Sequence, residues 1–496
     1  MKSNISLSKI VLACFCVIAS QASYAAEDSL NTTENKRPNI LVILTDDMGY
    51  ADVGFNGSTD IKTPSLDQLA AEGVVLTSAY NAHPFCGPSR AGIMTGRYPH
   101  KFGSQFNLPT SNRSGGLGVP TEEVFISKVL QDAGYKTGAI GKWHLGEEAE
   151  FHPNNRGFDD FYGFLNGGHD YFPSKYKPQY ERQRKQGLNH SIFHYLRPLE
   201  HNGKEVDEKE YVTDGLSREA VNFIEKSATN KDQPFFLYMS YNAPHSPMQA
   251  KEEDMAEFPE IKDQKRKIYA GMVYAVDRGV NNIVKALKAT GQYDNTLIVF
   301  FSDNGGKPNL GANNSPLRGR KGSVLEGGYR TPMFFHWPKN VPEGKTFSYP
   351  ISTLDLYPTF AKLAGAKIPD NKKLDGKDVM HDLIAGSNPR PGEMIYAVRH
   401  RKGFSEAAAR RDNWKIVNTG KEWQLFDVDK DKSESNDVSS KHPFIVREMI
   451  AEMEVWSWTN PQPLWFHHHE EGTMWREMGM PRFHETFNLK GDEKAH

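Results

Sequence analysis

A chain of 496 residues is long enough for a large α/β domain with a smaller partner, and far exceeds what a peptide hormone or a single binding module needs. Its 60 Lys and Arg stand against 62 Asp and Glu, so the formal charge is −2 and no global positive field exists to hold nucleic acid or an anionic membrane. Hydrophobic residues make up 38%, and past the N-terminus no run reaches the roughly 18 apolar residues of a membrane span, which argues against an integral membrane protein.

The chain opens with Lys2 and Lys9, an apolar run from Ile10 to Ser20, and Ser23-Tyr24-Ala25 with small residues at the cleavage positions. This pattern predicts an export signal over residues 1–25 and a polar linker over 26–36. The run is short for a membrane anchor, and too little apolar sequence precedes Cys14 for a lipoprotein acceptor. Of the three cysteines, Cys14 and Cys16 fall in the leader and Cys86 is left alone, so an internal disulfide is excluded in the exported chain.

Short apolar runs at Ile40 to Leu44, Thr137 to Ile140, Phe235 to Met239, Leu297 to Phe301 and Met333 to Trp337 predict buried strands. Helical patterns separate them at Ser65 to Glu72, Val124 to Ala133, Lys267 to Leu287 and Thr353 to Ala364. The alternation predicts an α/β fold, a large mostly parallel sheet sandwiched by helices, over residues 37–384. Shorter segments around Met394 to Val398, Trp414 to Val417 and Gln424 to Phe426 predict a small antiparallel sheet within 385–460. The aromatic, Met- and His-rich tail, 461–496, is expected to pack across the body.

Several segments carry chemistry. Pro88 in Cys86-Gly87-Pro88-Ser89-Arg90 suits a first helical turn, which places Cys86 at a helix N-terminus with Arg90 one turn on. Thr45-Asp46-Asp47 and Ser302-Asp303-Asn304-Gly305 each follow a predicted strand, at the end where open α/β sheets bind ligands. Three carboxylates and an amide oxygen form a hard set suited to Ca²⁺, or less well Mg²⁺, and poor for zinc. Lys142 and His144 are two apart, so in extended backbone they point the same way and flank one anion. His245 follows another strand, and Lys321 lies in a basic loop. Each loop His or Lys taken alone reads equally as solvated surface.

Together these segments resemble the type I sulfatases of the alkaline phosphatase superfamily. Their Cys-x-Pro-x-Arg motif is matched from Cys86 to Arg90, and the likeness runs from Pro38-Asn39-Ile40 through Leu425-Phe426-Asp427. The resemblance implies the alkaline phosphatase-like fold, conversion of Cys86 to formylglycine by a maturation enzyme, and calcium held by Asp46, Asp47, Asp303, Asn304 and the modified Cys86. It also implies that Arg90, Lys142, His144, His245 and Lys321 surround the sulfate. In the mechanism it implies, the formylglycine hydrate attacks sulfur, Asp303 takes a proton, His245 with Lys321 protonates the departing alcohol, and His144 deprotonates the second hydroxyl to restore the aldehyde.

The chain is most similar to exported bacterial polysaccharide sulfatases, with carrageenan sulfatases and galactose 4-O-sulfate as the specific candidates; periplasmic or secreted location follows. Sugar contacts are expected from His100, His169, Tyr171, Arg318 and Arg399, against a reading of each as ordinary surface. Asp427, Asp429 and Asp431 begin like a helix-loop-helix calcium loop, but Lys432 stands where Gly is required, so a hairpin turn is expected. His467-His468-His469 reads as surface or cleft lining. Two alternatives stay open: a phosphodiesterase or phosphonate monoester hydrolase of the same superfamily, against which Asn304 argues, and a non-catalytic sulfated-glycan binder if Cys86 is never oxidised.

Overall fold

Every residue of strand Asn39–Thr45 is buried, and the strand has two insides. Ile40, Val42 and Leu44 enter one apolar core and Leu41 and Ile43 the other, because alternate side chains leave opposite faces of the pleat. A strand apolar on both faces belongs in a sheet covered on both sides. The computed structural model describes residues 37–109, 116–188, 192–400 and 405–478; the expected leader, the linker and the end of the tail lie outside the described residues.

Among the described residues the sheet has ten strands. Its centre is five parallel strands in the order Thr296–Ser302, Asn39–Thr45, Phe235–Ser240, Lys136–Lys142 and Asp160–Phe164. Strand Met333–His336 runs antiparallel beside Thr296–Ser302, followed outward by Val74–Leu76 and Lys345–Phe347. Helices Val212–Ser227 and Gln264–Ala289 cover one face, and Cys86–Thr95, Ile126–Asp132 and Leu356–Leu363 the other. Each predicted strand is present, extended by one or two residues at its ends; only the Met333 strand is shorter than expected, because Pro338 follows.

The small sheet has four antiparallel strands, Met394–His400, Ser405–Arg411, Trp414–Asn418 and Gln424–Asp427. Helix Pro443–Trp458 packs Met449 and Met453 on one of its faces, and the other meets Tyr80, Val324 and Tyr329 of the main body. A buried ionic network pins that second contact. Glu326 accepts from Arg330, Lys415 and the Tyr80 hydroxyl, and Lys415 also pairs with Glu434 at 2.8 Å. The hairpin expected at Asp427 to Asp431 is corrected: the Lys430 and Asp431 N–H groups both donate to the Asp427 carbonyl, giving a turn off the edge strand that no paired strand follows. Among the described residues no helix is long and apolar enough to cross a membrane.

Candidate active site

The central strands end together, and their register assembles the site. Thr45 pairs with Ser302, and the Asp303 N–H donates to the Thr45 carbonyl at 3.0 Å, so Asp46-Asp47 and Asp303-Asn304 leave the sheet side by side. The Asp46 N–H donates to the Ala243 carbonyl at 3.1 Å, which ties in the loop carrying His245. Asp47 turns back at φ 65°, a left-handed conformation uncommon outside glycine and concentrated at functional sites.

Helix Cys86–Thr95 is buried along its whole length and begins at Cys86, as the proline position requires. Its second residue has to be small: a Cβ at Gly87 would lie 2.8 Å from Asn107 Oδ1 and 3.5 Å from the His144 ring. Arg90 points beneath the carboxylates. Its Nε donates to Asp303 Oδ2 at 2.9 Å and its Nη1 to the Lys142 carbonyl at 3.1 Å. Lys142 Nζ pairs with Asp46 Oδ2 at 2.5 Å, and Lys321 Nζ pairs with Asp47 Oδ1 while standing 3.7 Å from Cys86 Sγ. Three carboxylates therefore face three fixed cations.

These charges set one another. Burial raises the Asp46 carboxyl, but Lys142 and His245 outweigh it and hold it at about 2. Asp47 likewise titrates well below the carboxylate range, burial being overcome by Lys321, His245 and Lys307. Asp303 moves the other way, to about 6, through burial and its neighbour Asp46, with Arg90 opposing. Burial pushes His245 down to about 4 and His144 well below the usual imidazole value.

Asp46 Oδ1, Asp47 Oδ2 and Asn304 Oδ1 are buried with no hydrogen-bond partner. Asp47 Oδ2 faces Lys307 at 3.6 Å, beyond hydrogen-bond distance, and Asn304 Nδ2 donates to Asp47 Oδ1 at 2.7 Å; leaving a buried acceptor without a hydrogen bond costs about 1–3 kcal/mol, more when it is charged, so these neighbouring oxygens fit a cation. One ligand atom each of Asp46, Cys86 and Asp303 lie mutually within 4.8 Å, as do those of Asp46, Asp47 and His245. The hard oxygens suit Ca²⁺ or Mg²⁺. With the carboxylates already balanced, a divalent ion leaves the site positive and ready for an anion.

Cys86, His144, His245 and Lys321 line a cavity of about 330 Å³. The His245 Nδ1–H donates to the Ser246 carbonyl at 2.7 Å, which leaves Nε2 facing Asp47 Oδ2 at 3.7 Å. The extended backbone expected at Lys142 and His144 is corrected: His144 has φ 65°, so its ring swings to the cavity wall while Lys142 stays below with Asp46. Arg90 and Lys142 are fully buried and do not line the cavity.

Three of the expected sugar contacts, His100, His169 and Tyr171, are corrected by their burial. His100 is buried among the rings of His83, His400 and Trp456. His169 spends both ring nitrogens on the carbonyls of Asp170 and Arg197. The Tyr171 hydroxyl lies 2.8 and 2.7 Å from the carbonyls of Asn242 and His245, so it props the histidine loop. Arg318 donates to the Glu434 carbonyl at 3.0 Å and lines a separate groove; Arg399 stacks on Phe85 and donates to the Gly322 carbonyl. The cavity wall is instead Asn107, Glu147, Asn166, Tyr195, Lys307 and His467. Lys307 stood in view, two residues past Gly305 of the Asp303 loop, and Glu147 three past His144; Asn107, Asn166 and Tyr195 had no signal.

A sulfatase family model matches residues 38–366, and a model of the N-sulphoglucosamine sulphohydrolase C-terminal region matches 320–456. Arylsulfatase J of Mus musculus is 30% identical over 477 residues, covering 86% of this chain and 77% of its own. N-acetylgalactosamine-6-sulfatase of Mus musculus is 33% identical over 359 residues, covering 70% and 66%. The crystal structure of Ps i-CgsB in complex with k-i-k-neocarrahexaose is 60% identical, covers 91% of this chain and 100% of its own, and superposes with a TM-score of 0.89. A match over more than half the chain, spanning the acidic cluster at the strand ends and the helix start at Cys86, places this protein in the sulfatase family, whose members hydrolyse sulfuric esters.

Proposed function

We propose that this sulfatase is exported and removes sulfate from a sulfated galactan of the carrageenan class, at galactose O4, with calcium and a Cys86 converted to formylglycine by a maturation enzyme. One observation carries the reading: Cys86, at a helix start and lining the cavity, stands beside an acidic cluster in which three buried oxygens have no hydrogen-bond partner. The substrate class is supported by the 60% identity to Ps i-CgsB, whose bound ligand is a carrageenan oligosaccharide. The phosphodiesterase and binding-protein alternatives are not favoured, since the family models and the relatives named above are sulfatases.

Asp46, Asp47, Asp303 and Asn304 would hold the calcium, with Cys86 Sγ standing where the matured residue's oxygen would be. When bound, the ion supplies fixed positive charge that acidifies a neighbouring hydroxyl and polarises the ester. Formylglycine, once hydrated, supplies two hydroxyls on one carbon where serine has one. The chain's own residues do the rest. Lys321, beside Cys86, neutralises sulfate oxygens as charge moves onto them. Lys142 and Arg90 act from below, keeping Asp46 and Asp303 ionised and aimed. His245, its Nδ1–H anchored on the Ser246 carbonyl, presents Nε2 to the leaving sugar oxygen; the negative charge of a bound sulfate ester favours the doubly protonated ring, which gives its Nε2 proton to that oxygen. His144, whose Nδ1 has no protein partner, accepts the proton that lets the aldehyde re-form.

The test is to incubate matured protein with defined carrageenan oligosaccharides and locate the sulfate released. Loss from galactose O4 is expected; inertness toward all of them, with activity on an aryl sulfate retained, would contradict the substrate assignment.

A further inference from the structure

Asp52 is fully buried, and its carboxylate neither lines the cavity nor belongs to the acidic cluster. It is nonetheless crowded with donors. Its Oδ2 accepts from the Tyr269 hydroxyl at 2.7 Å, the Gly49 N–H at 2.9 Å and the Asn313 N–H at 3.0 Å, and its Oδ1 accepts from Arg266 Nη1. These donors come from three places: the loop that leaves the sheet at Asp46-Asp47, helix Gln264–Ala289, and the loop that follows Asp303-Asn304. The Gly49 N–H also points at the Tyr269 hydroxyl, at 3.1 Å, and that hydroxyl stands 3.3 Å from the Asp47 carbonyl.

The two loops touch backbone to backbone. A Cβ at Gly306 would lie 2.9 Å from the Gly49 nitrogen and Cα. One at Gly49 would lie 2.4 Å from the Asn313 carbonyl oxygen, which accepts from the Ala51 N–H at 2.9 Å. The second loop carries charge to the site: Lys307 lines the cavity, and the Gly306 carbonyl accepts from the Lys321 N–H at 3.1 Å. On the first loop, Asp47 keeps its left-handed backbone, φ 65°, only while its surroundings hold it there.

We infer that Asp52 and Tyr269 are positioning residues for the cation site, which hold the Asp46-Asp47 loop in its ligating shape before the ion arrives. The inference rests on the calcium reading above and deepens it. Affinity for a hard cation follows the charge of its ligands and how rigidly they are held. A loop that must first be ordered gives up part of the binding energy to that ordering. Neither Asp52 nor Tyr269 lines the cavity, so losing the brace acts on catalysis through the ion and not through the substrate.

The test is calorimetric titration of chelator-stripped protein with calcium, comparing the wild type with Tyr269→Phe, Asp52→Asn and a matched control. The control is Tyr162→Phe, which removes a hydroxyl that donates to the buried Glu208 carboxylate at 2.6 Å, outside the acidic cluster. Tyr269→Phe weakens calcium binding about 10-fold. Its kcat on an aryl sulfate, reduced at limiting calcium, returns to within about 2-fold of the wild type once calcium saturates. Asp52→Asn, which keeps the shape and loses the charge, shifts calcium affinity in the same direction, and Tyr162→Phe binds calcium as the wild type does. Wild-type calcium affinity in both Tyr269→Phe and Asp52→Asn overturns the brace alone. So does an equal weakening in Tyr162→Phe, which would mean general loosening of the fold. Wild-type protein that takes up no calcium overturns the calcium reading, and the brace with it.

Discussion

Cys86 is held in place by what cannot be there. The Gly87 and Gly167 positions both abut His144: a Cβ at Gly167 would lie 2.9 Å from Nε2. Gly167→Ala therefore shifts the imidazole without touching the acidic cluster, and kcat on an aryl sulfate falls by about 10- to 100-fold while the thermal midpoint moves little; steady-state kinetics beside a melting curve would show it. Cys86→Ser keeps an oxygen at the helix start but cannot form the aldehyde, so multiple turnover falls at least about 1,000-fold. Full turnover by that variant, in a host lacking other sulfatases, would refute the proposed chemistry. His245→Ala removes the imidazole that faces the leaving oxygen and costs about 100- to 10,000-fold, least on aryl sulfates, whose leaving groups need no acid.

At the scale of elements, the ionic network between the small sheet and the main body is the feature most open to test. Lys415 sits fully buried between Glu326 and Glu434, and Lys415→Met leaves both without their shared cation. Breaking a buried pair from one side costs about 3–5 kcal/mol, which denaturant unfolding would register. The network also fixes a pH dependence. Burial raises Glu326, but Lys415, Arg330 and Arg410 overcome it and hold the carboxyl at about 2 against an ordinary 4.5. The folded state thus binds the proton less readily than the unfolded one: the contribution is complete above pH 4.5 and is lost as pH falls toward 2. Unfolding midpoints from pH 7 down to 3 should drop below 4.5, and the drop should shrink in Glu326→Gln.

The same scale explains what could be read from the letters. The central strands were legible because burial on both faces leaves an unbroken apolar run. Ser405–Arg411 was not: Ala407, Ala408 and Ala409 have low strand propensity, and they serve as strand only because tight cores on both faces leave room for a methyl. Strand Asp160–Phe164 hid its pattern behind Gly163, whose Cβ would strike the Gly141 carbonyl at 2.0 Å. In the site, Asp46, Asp303, His144 and His245 were legible because each closely follows an apolar run. His100 and Tyr171 misled, since a polar residue in a loop serves scaffolding and ligand equally well until burial is known.

Across the whole molecule, five parallel strands deliver acidic and basic loops to one edge, a buried helix brings a lone cysteine to meet them, and the tail closes the wall. In the proposed chemistry the buried oxygens of Asp46, Asp47 and Asn304 lack hydrogen bonds because a divalent cation belongs there. Calorimetric titration of chelator-stripped protein with calcium tests that most directly. A single saturable site per chain is expected, abolished in Asp47→Ala and strongly weakened in Asn304→Ala. Heat of binding absent from the wild type, or unchanged in both variants, would contradict it.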